Sequence, residues 1–272
     1  MIAALLLAAA LNPATLVDTF IGTSGTPIGG PIDTFPGADT PFGMIQWSPD
    51  TPSQNAGSGY EFADKEITGF SLTHLSGPGC NVFGDFGMLP TTGDITDPAH
   101  AKQAFSHANE VASPGYYAVS LGAPLIRSEL TVTQRSGLGQ FTFPSTDKAN
   151  ILISPVSNQA GVTNAHIRVL GTQDIEATAS SGFFCGMPDR YTVYYVAHFD
   201  RPFASSGLWG FKSSSNGGAW VQFDASKNHV VRVKVARFLS SCGAAVPVVA
   251  IGVRLNSSIE LTRYCCVCAT TS

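Results

Sequence analysis

Charge is what this chain has least of. Lys, Arg, Asp and Glu make up 12% of its 272 residues, about half of the roughly 25% usual for soluble domains. The net charge is −4 and no basic patch forms along the sequence. Grip on a nucleic-acid backbone needs clustered Lys and Arg, so that function is excluded, and anionic lipid is disfavoured for the same reason. No window carries an apolar stripe of helical period over three turns, which argues against a helical fold. The first apolar run is too short for the ~20 residues of a membrane-spanning helix, and no other segment reads as a span. Abundance lies elsewhere, in 28 Gly, 17 Pro and 17 Phe, a composition that suits many short strands joined by turns.

The N-terminus reads Met1-Ile-Ala-Ala-Leu-Leu-Leu-Ala-Ala-Ala-Leu-Asn-Pro-Ala14. Its apolar run has the length of a signal-peptide core and ends in small residues, although a positive start is missing. Residues 1–16 are therefore expected to be the end of an export signal with a misassigned start; the alternative is a buried N-terminal segment. Export, to the periplasm or outside, permits disulfides among the six cysteines, but sequence does not reveal pairing. Cys265-Cys266-Val-Cys268 has no matching second half, so it makes a poor zinc site. For the isolated Cys80 and Cys185 the expected state is a free, buried thiol.

Strand signals recur between turns. Expected strands are Gly43–Ser48, Tyr116–Leu121, Ile126–Thr133, Gly139–Phe143, Asn150–Ser154, Ala165–Leu170, Tyr191–Phe199, Ala219–Phe223 and Val230–Val235. Ile126–Thr133 alternates apolar and polar side chains, as a half-buried strand should. Many short strands without intervening helices predict an all-β fold, one large antiparallel β-sandwich. After Val235 the texture changes, and residues 236–272 show neither alternation nor a helical stripe. This tail is expected to be foreign to the domain, the mark of a truncation or a frameshift.

One stretch concentrates chemistry: Gly69-Phe-Ser-Leu-Thr-His-Leu-Ser-Gly-Pro-Gly-Cys80, closed by Gly84-Asp85. An imidazole, hydroxyls, a thiol and a carboxylate share a loop whose glycines let backbone come close to a bound group. The structural alternative is a tight turn in which His74 only hydrogen-bonds a neighbour. His166 and His198 lie in strand patterns and are expected to be ordinary core or surface residues. Arg135 and Arg190 are expected in structural ion pairs.

Val17-Asp-Thr-Phe-Ile-Gly-Thr23, Thr34-Phe-Pro-Gly-Ala38, Pro41-Phe-Gly-Met44 and Gln46-Trp-Ser-Pro-Asp50 follow one another in order. Gly59-Tyr60, Ile67-Thr-Gly-Phe-Ser71, His74–Cys80, Pro114–Val119, Leu130–Gly137 and Cys185-Gly186 continue the series. Over roughly residues 17–235 the chain resembles the N-terminal domain of glycoside hydrolase family 92, calcium-dependent exo-acting α-mannosidases. The resemblance implies a sandwich that packs against a larger (α/α)6 barrel, with the active site between them. It places the catalytic carboxylates and most calcium ligands on that barrel, which is absent here; no catalytic residue and no metal ligand is carried over.

By the same resemblance, His74, Ser76 and Asp85 are expected to face a terminal sugar, with the Gly77 and Gly79 backbone allowing close approach. Cys80 is expected to line the pocket, or else to be a small buried thiol. Phe35 and Gly37 are expected at the rim, with Phe35 stacking on a sugar or serving as plain core. Gln46 and Trp47 alternate, so one of them points inward and the other can reach a ligand. The expected function is thus one part of an exported, inverting α-mannosidase acting on mannose-containing glycans. A binding module without catalysis and a truncated, non-functional product are the alternatives.

Overall fold

A computed structural model of the chain describes residues 12–26, 30–31, 33–54, 56–213 and 216–240. Most of the signal-like segment lies outside this range, as do residues 241–272 with Cys242, Cys265, Cys266 and Cys268. Among the described residues helix is confined to 3-10 turns, the longest being Pro13–Leu16. No helix is long and apolar enough to cross a membrane.

The early strands are short: β1 (Gly25–Thr26), β2 (Gly30–Pro31), β3 (Ser48–Asp50), β4 (Glu66–Ile67) and β5 (Gly69–Ser71). Then come β6 (Gly87–Thr92), β7 (Gln103–Ala104), β8 (Val111–Ser113), β9 (Tyr116–Leu121), β10 (Ile126–Val132) and β11 (Ser136–Thr142). They continue with β12 (Ala149–Ser154), β13 (Asn164–Leu170), β14 (Asp174–Gly182) and β15 (Arg190–Phe199). The last are β16 (Ser205–Ser213), β17 (Asn216–Phe223) and β18 (Val230–Ser240).

One sheet has eight strands in the order β13-β14-β15-β18-β11-β10-β9-β8, the other six in the order β16-β17-β12-β6-β5-β3. Every pair is antiparallel. The two sheets form the expected β-sandwich. β10 buries Ile126, Ser128, Leu130 and Val132 on its inner face, the alternation its sequence predicts. Aromatic pairs cross the layer: Phe70 of β5 with Tyr117 of β9, and Phe199 of β15 with Phe223 of β17.

Trp47 fills the centre of this layer with no exposed surface. Its indole nitrogen donates to the Phe70 carbonyl at 3.2 Å, and its ring lies on Gly137 and Gly139 of β11. A Cβ at those glycines would sit 2.7 and 2.8 Å from ring carbons. Glycine is needed here for space, because any side chain would push the indole out of its slot. Of the Gln46–Trp47 pair, the tryptophan is the inward member.

The expected strand Gly43–Ser48 is displaced. Only the bridge between Ala38 and Trp47 forms there, and the strand proper is Ser48–Asp50. Pro49 is admitted because β3 lies at the edge of its sheet, where a missing N–H costs no ladder bond. β14 and β16 were not expected; their Ser-, Ala- and Gly-rich sequences lack the β-branched signal, and sheet pairing decides them. β18 continues past 235 to Ser240.

Replacing Gly137 or Gly139 by Ala is expected to lower unfolding free energy by about 1–3 kcal/mol, the usual cost of overpacking. Urea denaturation of the two variants measures it, and unchanged midpoints would contradict the slot.

Candidate functional site

The glycine-rich loop leaves β5 at Ser71 and returns into β6 at Gly87. It closes on itself: Leu72 N–H donates to the Asp85 carbonyl at 2.9 Å and Gly84 N–H to the Thr73 carbonyl at 2.8 Å. Its tip is tied down by Leu75 N–H on the Gly57 carbonyl and Gly77 N–H on the Asp33 carbonyl. Phe83 and Phe86 both have positive φ, 64° and 59°, each costing roughly 1–2 kcal/mol in an L-residue. Strain of this kind persists only where surrounding contacts over-determine the backbone. The two strained residues bracket Asp85.

Asp85 is fully buried. Its Oδ2 accepts from the Thr73 hydroxyl at 2.9 Å and the Tyr191 phenol at 3.2 Å, and its Oδ1 from the Asn158 amide at 2.7 Å. Asn158 in turn accepts from Ser181 of β14 at 3.0 Å. Burial, and then the charge of Asp85, push the Tyr191 phenol far above its ordinary range. Arg237 of β18 is also buried and donates to the Met44 carbonyl at 2.6 Å. Burial lowers its guanidinium pKa, while Asp85 and Tyr191 oppose the change. The carboxylate thus joins the loop, the 157–160 turn and the eight-stranded sheet.

His74 is equally enclosed. Its Nδ1 lies 2.8 Å from the Gln46 carbonyl, and its Nε2 lies 3.1 Å from Asp50 Oδ1 and 3.2 Å from Ser71 Oγ. Phe35, half-buried, packs its ring 5.3 Å from the imidazole. Gly59 lies against both groups, since a Cβ there would be 2.5 Å from Asp50 Oδ1 and 3.0 Å from His74 Nε2. Gln46 donates through Nε2 to the Gly43 carbonyl at 2.8 Å. Asp39 nearby has its carboxyl raised by burial and drawn back by Thr40 N–H, Gln46 and His74. Gly37 is buried against Ser48, with no room for a Cβ.

The outward side of the loop is different. Leu75, Ser76, Gly77 and Gly79 are exposed, above the buried His74 and Asp85. Of the residues expected at a sugar, Ser76 and Gly77 therefore lie at the surface, whereas His74, Asp85 and Gly37 lie beneath it. Phe35 and Gln46 fall between.

Cys80 is not a free thiol. It forms a disulfide with Cys185, 105 residues away in sequence. Neither cysteine is buried, and Cys185 is exposed, so the expectation of two enclosed thiols is corrected. Sequence alone could not pair them, because only the fold brings the β14–β15 turn over the loop tip. That turn also holds Phe183 and Cys185 at positive φ, 62° and 48°. Arg190 lies over the Phe183 ring at 4.1 Å, a cation–π contact where an ion pair was expected. An open hollow of about 590 Å³ surrounds the disulfide, lined by Gly79, Asn81, Gln159 and Phe183. His166 is exposed, and His198 pairs with Asp174 at 2.7 Å.

Nothing along the sequence indicated that Thr73, Asn158 and Tyr191 donate to Asp85, that Ser181 backs Asn158, or that Arg237 is buried nearby. No spacing links these positions, and the fold alone assembles them. Among the described residues no three of His, Cys, Asp and Glu gather into a metal-binding group. Calcium requires 6–8 oxygen ligands, so these residues do not fit it.

The family described as "Glycosyl hydrolase family 92 N-terminal domain" matches residues 16–237. An uncharacterized secreted glycosidase of Arthroderma benhamiae is 29% identical over 257 residues, 82% of this chain and 32% of its own length. A family GH92 alpha-mannosidase from Bacteroides thetaiotaomicron superposes with a TM-score of 0.72 at 31% identity, over 82% of this chain and 32% of that one. That mannosidase is also known in complex with mannoimidazole. A further GH92 glycosyl hydrolase gives a TM-score of 0.71 at 26% identity, covering 83% of this chain and 32% of its own. The chain spans about a third of the length of these relatives.

Asp85→Ala is expected to cost about 3–5 kcal/mol, because it strands buried donors beside a buried guanidinium. Cys185→Ser is expected to cost about 2–5 kcal/mol by opening a long covalent loop. Thermal unfolding of both variants checks these values; a neutral Asp85→Ala would remove the carboxylate from its central place.

Proposed function

The chain belongs to the glycosyl hydrolase family 92 N-terminal domain family, and from that membership we propose that it forms the sandwich part of an exported, inverting, calcium-dependent α-mannosidase. The substrate class is terminal α-mannosides of glycans. The observation that carries the reading is the exposed turn Leu75–Gly79 set on a buried frame. Such a turn offers a sugar a hydroxyl at Ser76 and bare backbone at Gly77 and Gly79, with little freedom to lose on binding.

The residues divide into two layers. His74, Asp50 and Asp85 hold the turn from below; they are positioning residues. Ser76 and Gly77 meet the sugar, and Phe35 supports the imidazole side of the rim. The Cys80–Cys185 disulfide ties the end of the turn to the segment that carries Phe183.

Inverting hydrolysis requires one carboxyl to protonate the leaving oxygen and another to activate water, ~6.5–9.5 Å apart. Asp50 and Asp85 are buried and engaged by protein donors, so neither is available for that work. The reading assigns bond cleavage to carboxylates of the (α/α)6 domain of the family, against which this sandwich would pack. No three His, Cys, Asp or Glu side chains gather for a metal among the described residues, so this reading leaves calcium to the partner domain.

The chain alone is expected to show no turnover above background on an aryl α-mannoside with calcium present; robust hydrolysis would overturn the two-part reading. In calorimetry with methyl α-mannoside, Ser76→Ala is expected to weaken binding without changing the melting temperature. His74→Ala is expected to lower both, because it strands Asp50 and the Gln46 carbonyl. Equal loss of stability in the two variants would remove the distinction between rim and frame.

A further inference from the structure

The outer face of the six-stranded sheet carries a cavity of about 520 Å³, well within the ~300–1,000 Å³ of small-molecule sites. Asp50 is among the residues that line it, and its carboxylate bonds the His74 imidazole and Ser71 of the loop. The floor is bare backbone. Gly69 of β5 and Gly87 of β6 lie side by side, and a Cβ at Gly69 would meet Gly87 at 3.6 Å. Leu89 and Leu152 extend the floor with an apolar surface.

One wall is Trp209 of β16, half-buried. Its indole is laid against the neighbouring strand because Gly218 has no side chain; a Cβ there would come within 2.2 Å of the ring. Thr68, Ser154 and Ser157 belong to the same lining; the Thr68 and Ser157 hydroxyls donate to the Asp50 and Gly84 carbonyls, so they can meet a ligand only as acceptors. The basic side chains at the rim already face carboxylates: Lys102 pairs with Glu66 at 2.5 Å and His100 lies 3.0 Å from Asp97. An anionic ligand would compete with Glu66 and Asp97 for these groups. A neutral ring with apolar C–H faces and a rim of hydroxyls would not, and an aromatic wall beside hydroxyls and bare backbone suits it.

We propose that this cavity is a second carbohydrate site, which takes a neutral pyranose unit against Trp209 and is distinct from the Leu75–Gly79 turn. The choice of ligand class rests on the glycan reading above; the site itself rests on the cavity and its lining.

The test uses the full chain labelled with 5-fluorotryptophan, which reports on Trp47, Trp209 and Trp220, titrated with methyl α-mannoside and with an α-linked mannotriose. A saturable shift of the Trp209 fluorine signal is expected, with the buried Trp47 signal unmoved as an internal control. Gly69→Leu, which plants a side chain on the floor, is expected to weaken that titration about tenfold or more. Gly69→Ala meets only ordinary contact distances and serves as the folding control. Trp209→Phe is expected to retain sugar binding by calorimetry, and Trp209→Ala to lose most of it.

If Ser76→Ala has no effect on any binding while Trp209 still shifts, the loop reading fails and this site stands. If calorimetry shows binding that Ser76→Ala abolishes and Gly69→Leu leaves intact, the loop reading stands and this site is refuted. Absence of a saturable Trp209 shift at millimolar sugar refutes it outright.

Discussion

Asp85 carries a carboxylate with no contact to solvent, and donors from three separate segments converge on it. A buried charge with no partners would cost several kcal/mol. Thr73, Asn158 and Tyr191 remove that cost only when the loop, the 157–160 turn and β15 are all in place. Arg237 adds a compensating charge from β18. The geometry of one end of the sandwich is thereby made interdependent, since displacing any one segment exposes the carboxylate to an unsatisfied neighbour.

That interdependence accounts for the strain nearby. Phe83 and Phe86 hold left-handed backbone on either side of Asp85, and Phe183 and Cys185 do so at the facing turn. Non-glycine residues take such conformations only when other contacts outweigh the penalty. Here those contacts are the buried carboxylate, the Phe83–Tyr191 and Phe86–Tyr195 ring pairs, and the disulfide that clasps the two turns. The exposed turn above this frame is anchored by Leu75 and Gly77 N–H groups on the Gly57 and Asp33 carbonyls and by the Cys80–Cys185 disulfide. On the proposed function, a turn anchored in this way would lose little conformational entropy on binding a rigid, hydroxylated ring.

Much of the sandwich was legible from the chain. Tyr116–Leu121 was placed to the residue, and β10, β12, β13, β15 and the start of β18 within a residue or two, because β10 alternates and the others are short apolar or β-branched runs bounded by turn residues. β14 and β16 were not, since Ala, Ser and Gly pack acceptably on either side of a sheet and leave no periodic mark. At the site, the glycine-rich loop was visible as a concentration of polar groups on a flexible backbone. Which of those groups face outward was not visible. His74 and Asp85 have the chemistry of ligand-binding residues, yet their atoms are engaged by Gln46, Asp50, Thr73, Asn158 and Tyr191.

By itself the sequence determined an all-β chain poor in charge, the position of its polar, glycine-rich loop, and the family to which that loop belongs. Those properties depend on local composition, alternation and motif order, all of which can be read along one dimension. Only the tertiary structure decided that Cys80 meets Cys185, that Trp47 lies in a slot made by Gly137 and Gly139, and that His74 and Asp85 support the loop from beneath. Each of these depends on residues far apart in the chain, brought together by sheet order and register. A side chain's exposure and partners are properties of that assembly.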